Sequence, residues 1–494
     1  MACNDCNHTR EHDREITRRK LLDLAGRGLA LGAFGLSLGS LGFMREAYGL
    51  QPENPLYKGF LCVSFEGGAS HIDTLDPKPG SRNNVFNTIT LGNDVYNNPI
   101  RISEVFPTLA NLSQNDPAIG VGIIRSMWHG SNNHNVGQLA MSSFWRGQLQ
   151  NSYPSMAPVF AHYFQGQGIG IPSVVVTGGV LNGINDARGA RVPTALAVAP
   201  GQGQGQNPVV QALSLPPGVD ADRYRRRKAL LDRFNIEFLN KRPDDVVKAW
   251  KKASDDAADI TIKGEAARAF DLTGKPLLPA AGNGEAQRFT LAQELLKAGV
   301  PYVTCGIGGN DSHGNNMGTV RRNWGQTFDR AIGQMALNLK ATGQPYLICT
   351  ISDFGRSPAT VANGRDGRDH WGGSFSVMLI SINQPQFKKT AIGDTGPDGL
   401  FVAPGTANGS EGGGAVNGAL VDPFEPAHLG YLVYKAMGIP LFAADGRADV
   451  PTALGRDAPP VDRMASLAIP TGNTVRYGAG LGYGPKLAQA FGLG

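Results

Sequence analysis

The chain has 494 residues, a formal net charge of +5, 18% charged and 41% hydrophobic residues, with 66 glycines and 32 prolines. The glycine has no triplet period, so collagen is excluded; the hydrophobic share is too high for a disordered chain, and no uncharged apolar run reaches the roughly 18 residues of a membrane span. What remains is a large, loop-rich globular protein whose scattered Lys and Arg do not imply nucleic acid.

In chain order, the first feature is an export signal over residues 1–49. Thr17-Arg18-Arg19-Lys20-Leu21-Leu22 precedes an uncharged stretch from Leu29 to Met44, and Ala47-Tyr48-Gly49 is a small-x-small cleavage candidate. The adjacent arginines and glycine-rich core predict the twin-arginine route, hence a folded, exported or periplasmic protein that meets the twin-arginine machinery and is not integral to the membrane. Beyond the signal only Cys62, Cys305 and Cys349 remain. Their odd number argues against a disulfide framework, and their apolar settings predict buried thiols.

Short apolar runs then alternate with helical stretches. Strands are predicted at 59–65, 120–124, 173–177, 302–305, 346–351 and 375–381, and helices at 135–145, 222–240, 285–298 and 324–342. This alternation predicts an α/β protein with a mostly parallel central sheet and helices on both faces. The main domain is expected over residues 50–460, with 181–271 as a helical insertion or cap. Residues 461–494 read as a glycine-rich tail, loosely ordered or draped over the surface.

Four polar segments directly follow predicted strands, where ligands bind in such sheets. After 59–65 come Glu66-Gly67-Gly68-Ala69-Ser70-His71-Ile72-Asp73. Following 120–124 are Arg125 and the run His129-Gly130-Ser131-Asn132-Asn133-His134, which opens a helix. Asp311-Ser312-His313 follows 302–305, with carboxylate and imidazole on one face of extended chain. After 346–351 come Asp353-Phe354-Gly355-Arg356, then Arg368-Asp369-His370. Carboxylates and histidines converging on one sheet edge suit one or two divalent ions, with zinc, manganese and calcium not distinguished. Arg125, Arg356 and Arg368 offer either an anion clamp or structural ion pairs.

Five stretches around these segments, in this order, resemble the DUF1501 family, grouped with the alkaline phosphatase and sulfatase superfamily. They are Phe65 to Pro79, Arg125 to His134, Gly309 to Asn316, Asp353 to Pro358, and Gly367 to Trp371. The resemblance implies an alkaline-phosphatase-like three-layer sandwich. It further implies one metal held by Asp311, His313 and His370, and a second taking Glu66 and Asp353. The histidine that should follow Asp353 is replaced by Phe354. His134 stands where a serine or threonine nucleophile is expected, so it is a ligand, a nucleophile or a base, with Ser131 or Ser70 as other hydroxyl sources.

The resulting expectation is an exported metal-dependent hydrolase of small anionic phosphate or sulfate esters. The alternative is a non-catalytic exported binding or cell-envelope protein on a degenerate version of the fold.

Overall fold

The computed structural model describes residues 54–94, 97–144, 155–164, 172–178, 218–241, 264–359, 366–396, 424–439 and 483–493, with short pieces between them. The expected export signal lies outside the described residues. No described helix is long and apolar enough to cross a membrane.

Eight strands form the central sheet: β1 (Gly59–Phe65), β2 (Ile119–Met127), β3 (Val174–Val176), β4 (Leu196–Ala197), β5 (Tyr302–Ile307), β6 (Tyr346–Ser352), β7 (Phe375–Ile382) and β8 (Ala391–Ile392). Their order is β8-β2-β7-β6-β1-β5-β3-β4. β1 lies at the centre and pairs in parallel with β5 and β6, while β7 runs against both β2 and β6. β1, β5 and β6 are buried along their whole length, and β2 is buried but for one position. Such strands are covered on both faces, which explains apolar runs without alternation.

Two hydrophobic clusters sandwich the sheet. On one face, Phe60, Cys62, Leu347, Cys349 and Leu379 pack against α2 (His134–Ser143), α3 (Met156–Phe164), α8 (Pro426–Ala436) and α9 (Tyr483–Ala490). On the other, Leu61, Val63, Phe65, Ile348 and Ile380 meet α1 (Pro107–Asn115), α5 (Glu265–Phe270), α6 (Asn283–Lys297) and the segment α7. That segment is Asn316–Val320, a wide π-helical stretch Arg321–Asp329, then Arg330–Lys340. The architecture is therefore the expected α/β sandwich.

Two local features bear on the strand ends. In α7, Trp324 stacks face to face on Phe65 at 3.7 Å between ring centroids, fixing the last residue of β1. Gly355–Arg356 pairs antiparallel with His370–Trp371, so a short ribbon folds back over the sheet edge.

Two of the expected segments are described in part. The end of the segment read as a draping tail is α9, whose Leu487, together with Phe491 and Leu493 just beyond it, is fully buried. Phe491 lies against Gly122 of β2 and stacks on Phe387, so a small glycine in the strand makes the seat. Much of 181–271 lies outside the described residues; within it β4 joins the sheet edge and α4 (Ala221–Lys241) exposes Leu230 and Ile236. Cys62, Cys305 and Cys349 are free and buried, and burial pushes the Cys62 thiol up to about 12.

Candidate metal centre

Because β7 alone opposes its neighbours, the carboxyl ends of β1, β2, β5 and β6 open on one edge. The loop after β2 ends in Asn133, whose side chain accepts from the Val136 amide and caps α2. His134 is thereby the first residue of the helix. Gly137 lets α2 approach the end of β6, since a Cβ there would run into the Asp353 carbonyl. His129 fastens the same contact: the Ser131 amide donates to its Nδ1, so its Nε2–H donates to the Asp353 carbonyl.

His134, Asp311 and His370 each offer one ligand atom within 4.8 Å of the others. The His134 and His370 Nε2 atoms are 3.1 Å apart. Asp311 Oδ1 is 3.1 Å from His370 Nε2, and Asp311 Oδ2 is 3.7 Å from His134 Nε2. The hydrogen-bond network assigns both tautomers. His134 Nδ1 faces Asp353 Oδ2 at 2.6 Å, and His370 Nδ1 faces the Asn132 carbonyl at 3.0 Å. Each Nδ1 therefore donates, and each Nε2 turns a lone pair toward the other. Facing lone pairs repel unless a cation shares them. Two nitrogens each about 2.0–2.1 Å from a tetrahedral zinc stand roughly 3.3 Å apart, so the donor set fits a divalent ion with little movement. The paired carboxylate and carbonyl behind the imidazoles are the usual partners of metal-binding histidines.

Asp311 is held by Arg356, whose buried guanidinium also donates to the carbonyls of Gly67, Gly68 (3.3 Å) and Arg368 (3.1 Å). Burial would raise the Asp311 pKa, but the Arg356 hydrogen bond and then the Arg356 charge bring it down to about 2. It is a carboxylate throughout the physiological range.

The other expected site residues fall into three groups. His313 stands at the rim, half exposed, with Nε2 2.9 Å from Asp311 Oδ1 and 3.0 Å from His370 Nε2. Glu66 is half-buried; burial and then the Asp353 charge raise its pKa, while His134 works the other way. Asp353 is buried, and its side chain turns toward His134 and the Gly67 amide.

The arginines are committed elsewhere. Arg368 is buried on Asp73, with Nε 2.6 Å from Oδ2 and Nη2 2.9 Å from Oδ1. Arg125 lies beside Asp76 at 3.4 Å and donates to the Arg101 carbonyl. Arg356 reaches the centre only through Asp311. The donors of Arg356 and Arg368 are thus spent on carboxylates and carbonyls, and Arg125 turns one nitrogen to the Arg101 carbonyl. Buried carboxylates and loop carbonyls took the guanidinium donors first. Of the two serines considered as hydroxyl sources, Ser70 Oγ donates to Asp73 at 2.6 Å, and Ser131 Oγ accepts from the Asn133 amide.

The sequence marks Phe354 only as the replacement of a histidine and gives Gln138 no part in the site. The Phe354 ring lies 4.7 Å from both the His134 and His370 rings and is fully buried. Gln138 donates to Asp353 Oδ2 at 3.4 Å. The helical spacing from His134 to Gln138 was the available signal, because residues four apart share a face.

A family profile described as "Protein of unknown function (DUF1501)" matches residues 57–380. No curated protein matches the sequence. Among solved structures, alkaline phosphatase from the Antarctic bacterium TAB5 is 14% identical, with 71% of this chain and 97% of that chain covered and a TM-score of 0.29. The C-terminal periplasmic domain of EcEptC from Escherichia coli is 10% identical, with coverages of 80% and 84% and a TM-score of 0.30. Its complex with Zn is 11% identical, with coverages of 69% and 75% and a TM-score of 0.27.

Proposed function

We propose that this chain, which belongs to the DUF1501 family, is an exported metal-dependent hydrolase of phosphate or sulfate esters. The observation that carries the proposal is the convergence of the His134 and His370 Nε2 lone pairs with the Asp311 carboxylate at the sheet edge. His134, Asp311 and His370 would hold the ion, with His313 at the rim. When bound, a divalent ion supplies Lewis-acid polarisation of an ester oxygen and lowers the pKa of water.

The protein's own groups do the remaining work. Asp353 and the Asn132 carbonyl orient the two imidazoles, and Arg356 holds Asp311 in place. Phe354 keeps water from beneath the histidine pair. Glu66, whose carboxylate has no donor among the described residues, is suited to accept a proton at its carboxylate oxygens from an incoming water. The half-exposed His313 is suited to hold the proton that a leaving oxygen takes. Export rests on Arg18-Arg19 and the uncharged stretch that follows.

Elemental analysis of the purified protein comes first, with about one divalent ion or more per chain expected. A panel of aryl phosphates, phosphodiesters and aryl sulfates then tests turnover by the zinc-, manganese- and calcium-loaded protein. Activity that disappears in Asp311→Ala and His370→Ala supports the reading. Absence of turnover with every metal, or turnover indifferent to both substitutions, refutes it.

A further inference from the structure

We propose that Asp353 is a positioning residue, not a ligand: it fixes the proton of His134 on Nδ1, makes Nε2 a metal ligand, and leaves the centre with a single ion. The inference rests on the metal-binding part of the proposed function and is independent of the ester chemistry.

Counting lone pairs carries the argument. A carboxylate has about four acceptor positions. On Asp353, Oδ1 accepts from the Gly67 amide at 3.1 Å, while Ser352 Oγ, 3.2 Å away, spends its one proton on the nearer Phe65 carbonyl at 2.9 Å. Oδ2 accepts from His134 Nδ1 at 2.6 Å and Gln138 Nε2 at 3.4 Å, and shares the Gly67 amide at 3.2 Å. The side chain is 0% exposed. Both lone pairs of Oδ2, the oxygen that faces His134, are thus used, and the buried carboxylate acts on the centre through the imidazole.

The surroundings agree. Gly67 adopts a φ of +109°, and a Cβ there would strike the backbone at Asn310 and Asp311, so the tight turn after β1 aims its amide at Asp353. Phe354 follows Asp353 directly and lays a carbon ring under both histidines, where it offers no donor atom. Among the described residues, His134, Asp311 and His370 form the one group of three that could hold an ion. Glu66, beside Asp353 and His134, is thereby left outside the ligand set.

Binding of zinc and of cobalt(II) to the metal-stripped full-length protein tests this without any substrate. The wild type should take one ion per chain. Asp353→Asn keeps an oxygen for the Gly67 amide but turns an amide donor toward His134, which drives the imidazole proton to Nε2. Its affinity should fall roughly 10–100-fold, as for other partners behind metal ligands. His134→Ala should weaken binding at least as much. In the His134→Ala background, Asp353→Asn should change affinity less than about twofold, since a residue acting through another adds nothing once that one is gone. Nitrogen-15 NMR of the histidines in the stripped wild type should find the His134 proton on Nδ1, a readout that needs no variant to fold.

A stoichiometry of two ions, losses that add in the double variant, or a His134 proton on Nε2 would each overturn the inference. Failure to bind either metal overturns both this and the proposed function. One-ion binding with the expected cycle but no ester turnover removes the hydrolase reading and leaves this one standing.

Discussion

Arg368→Ala should cost stability and not ester affinity. Its guanidinium makes a bidentate pair with Asp73, and both side chains are 0% exposed. It also donates to the carbonyls of Ser357 (3.0 Å), Asn83 (2.7 Å) and Pro358. Truncation leaves Asp73 with Ser70 Oγ and Asn316 Nδ2 as neutral donors, both at 2.6 Å, and no cation. Removing one partner of a buried pair costs about 3–5 kcal/mol. A domain with about 5–15 kcal/mol in total would lose a large fraction of its stability. Urea unfolding followed by circular dichroism and tryptophan fluorescence measures the loss, and zinc titration of the folded variant measures the centre separately. The expected pattern is a much lower urea midpoint with metal affinity within about threefold of wild type. A stability loss under about 0.5 kcal/mol, or weakened ester binding with stability intact, would refute the structural assignment and restore Arg368 to the anion.

Three further outcomes follow from the same packing. Phe491→Ala should destabilise by about 3–5 kcal/mol, because the ring is fully buried against Gly122 and Phe387; an unchanged urea midpoint would mean that the carboxyl-terminal helix does not dock. Gly137→Ala should cost about 1–3 kcal/mol and weaken zinc binding as well, since α2 must retreat from Asp353 and carry His134 with it; zinc affinity equal to wild type would contradict this. Burial lowers the His71 pKa, and its Nε2–H donates to the Gly399 carbonyl at 2.8 Å. The unfolded chain then binds the extra proton more readily, so this contribution is complete above the unfolded pKa of about 6.5 and is lost as pH falls from there. The slope is at most about 1.4 kcal/mol per pH unit. Urea midpoints between pH 5 and 7.5 should fall less steeply in His71→Gln than in wild type, and parallel curves would count against it.

The strands and the edge on which the chemistry collects were legible in the sequence, because buried parallel strands are short apolar runs and the segments after them are polar. β1, β5, β6 and β7 fall within a residue or two of the expected ranges. The hairpin of Thr88–Asn93 and Pro99–Ser103 was not legible, since its strands are partly exposed and carry no long apolar run. Nor was the docking of residues 483–493, where the decisive term is the fit of Phe491 over a glycine in a strand more than 360 residues earlier in the chain. Within the site, residue type and position after a strand single out Asp311, His134 and His370 along with Glu66, His313 and Asp353, and only the fold shows that the first three bring ligand atoms within 4.8 Å. The direction of each arginine was beyond reach, because a guanidinium can serve a ligand, a carboxylate or a carbonyl, and composition does not rank them.

That ranking follows from the loops. Four strand-end segments must hold their side chains within a few ångströms of one another, yet each is glycine-rich and has little secondary structure of its own. Arg356 answers this for three of them, joining Gly67 and Gly68 after β1, Asp311 after β5 and the backbone of Arg368. Arg368 in turn ties its own segment to Asp73 and Asn83. A free arginine could bind an anion but would leave these carbonyls unpaired in the interior, each costing about 1–3 kcal/mol. The buried arginines therefore contribute to the centre by holding its loops in register.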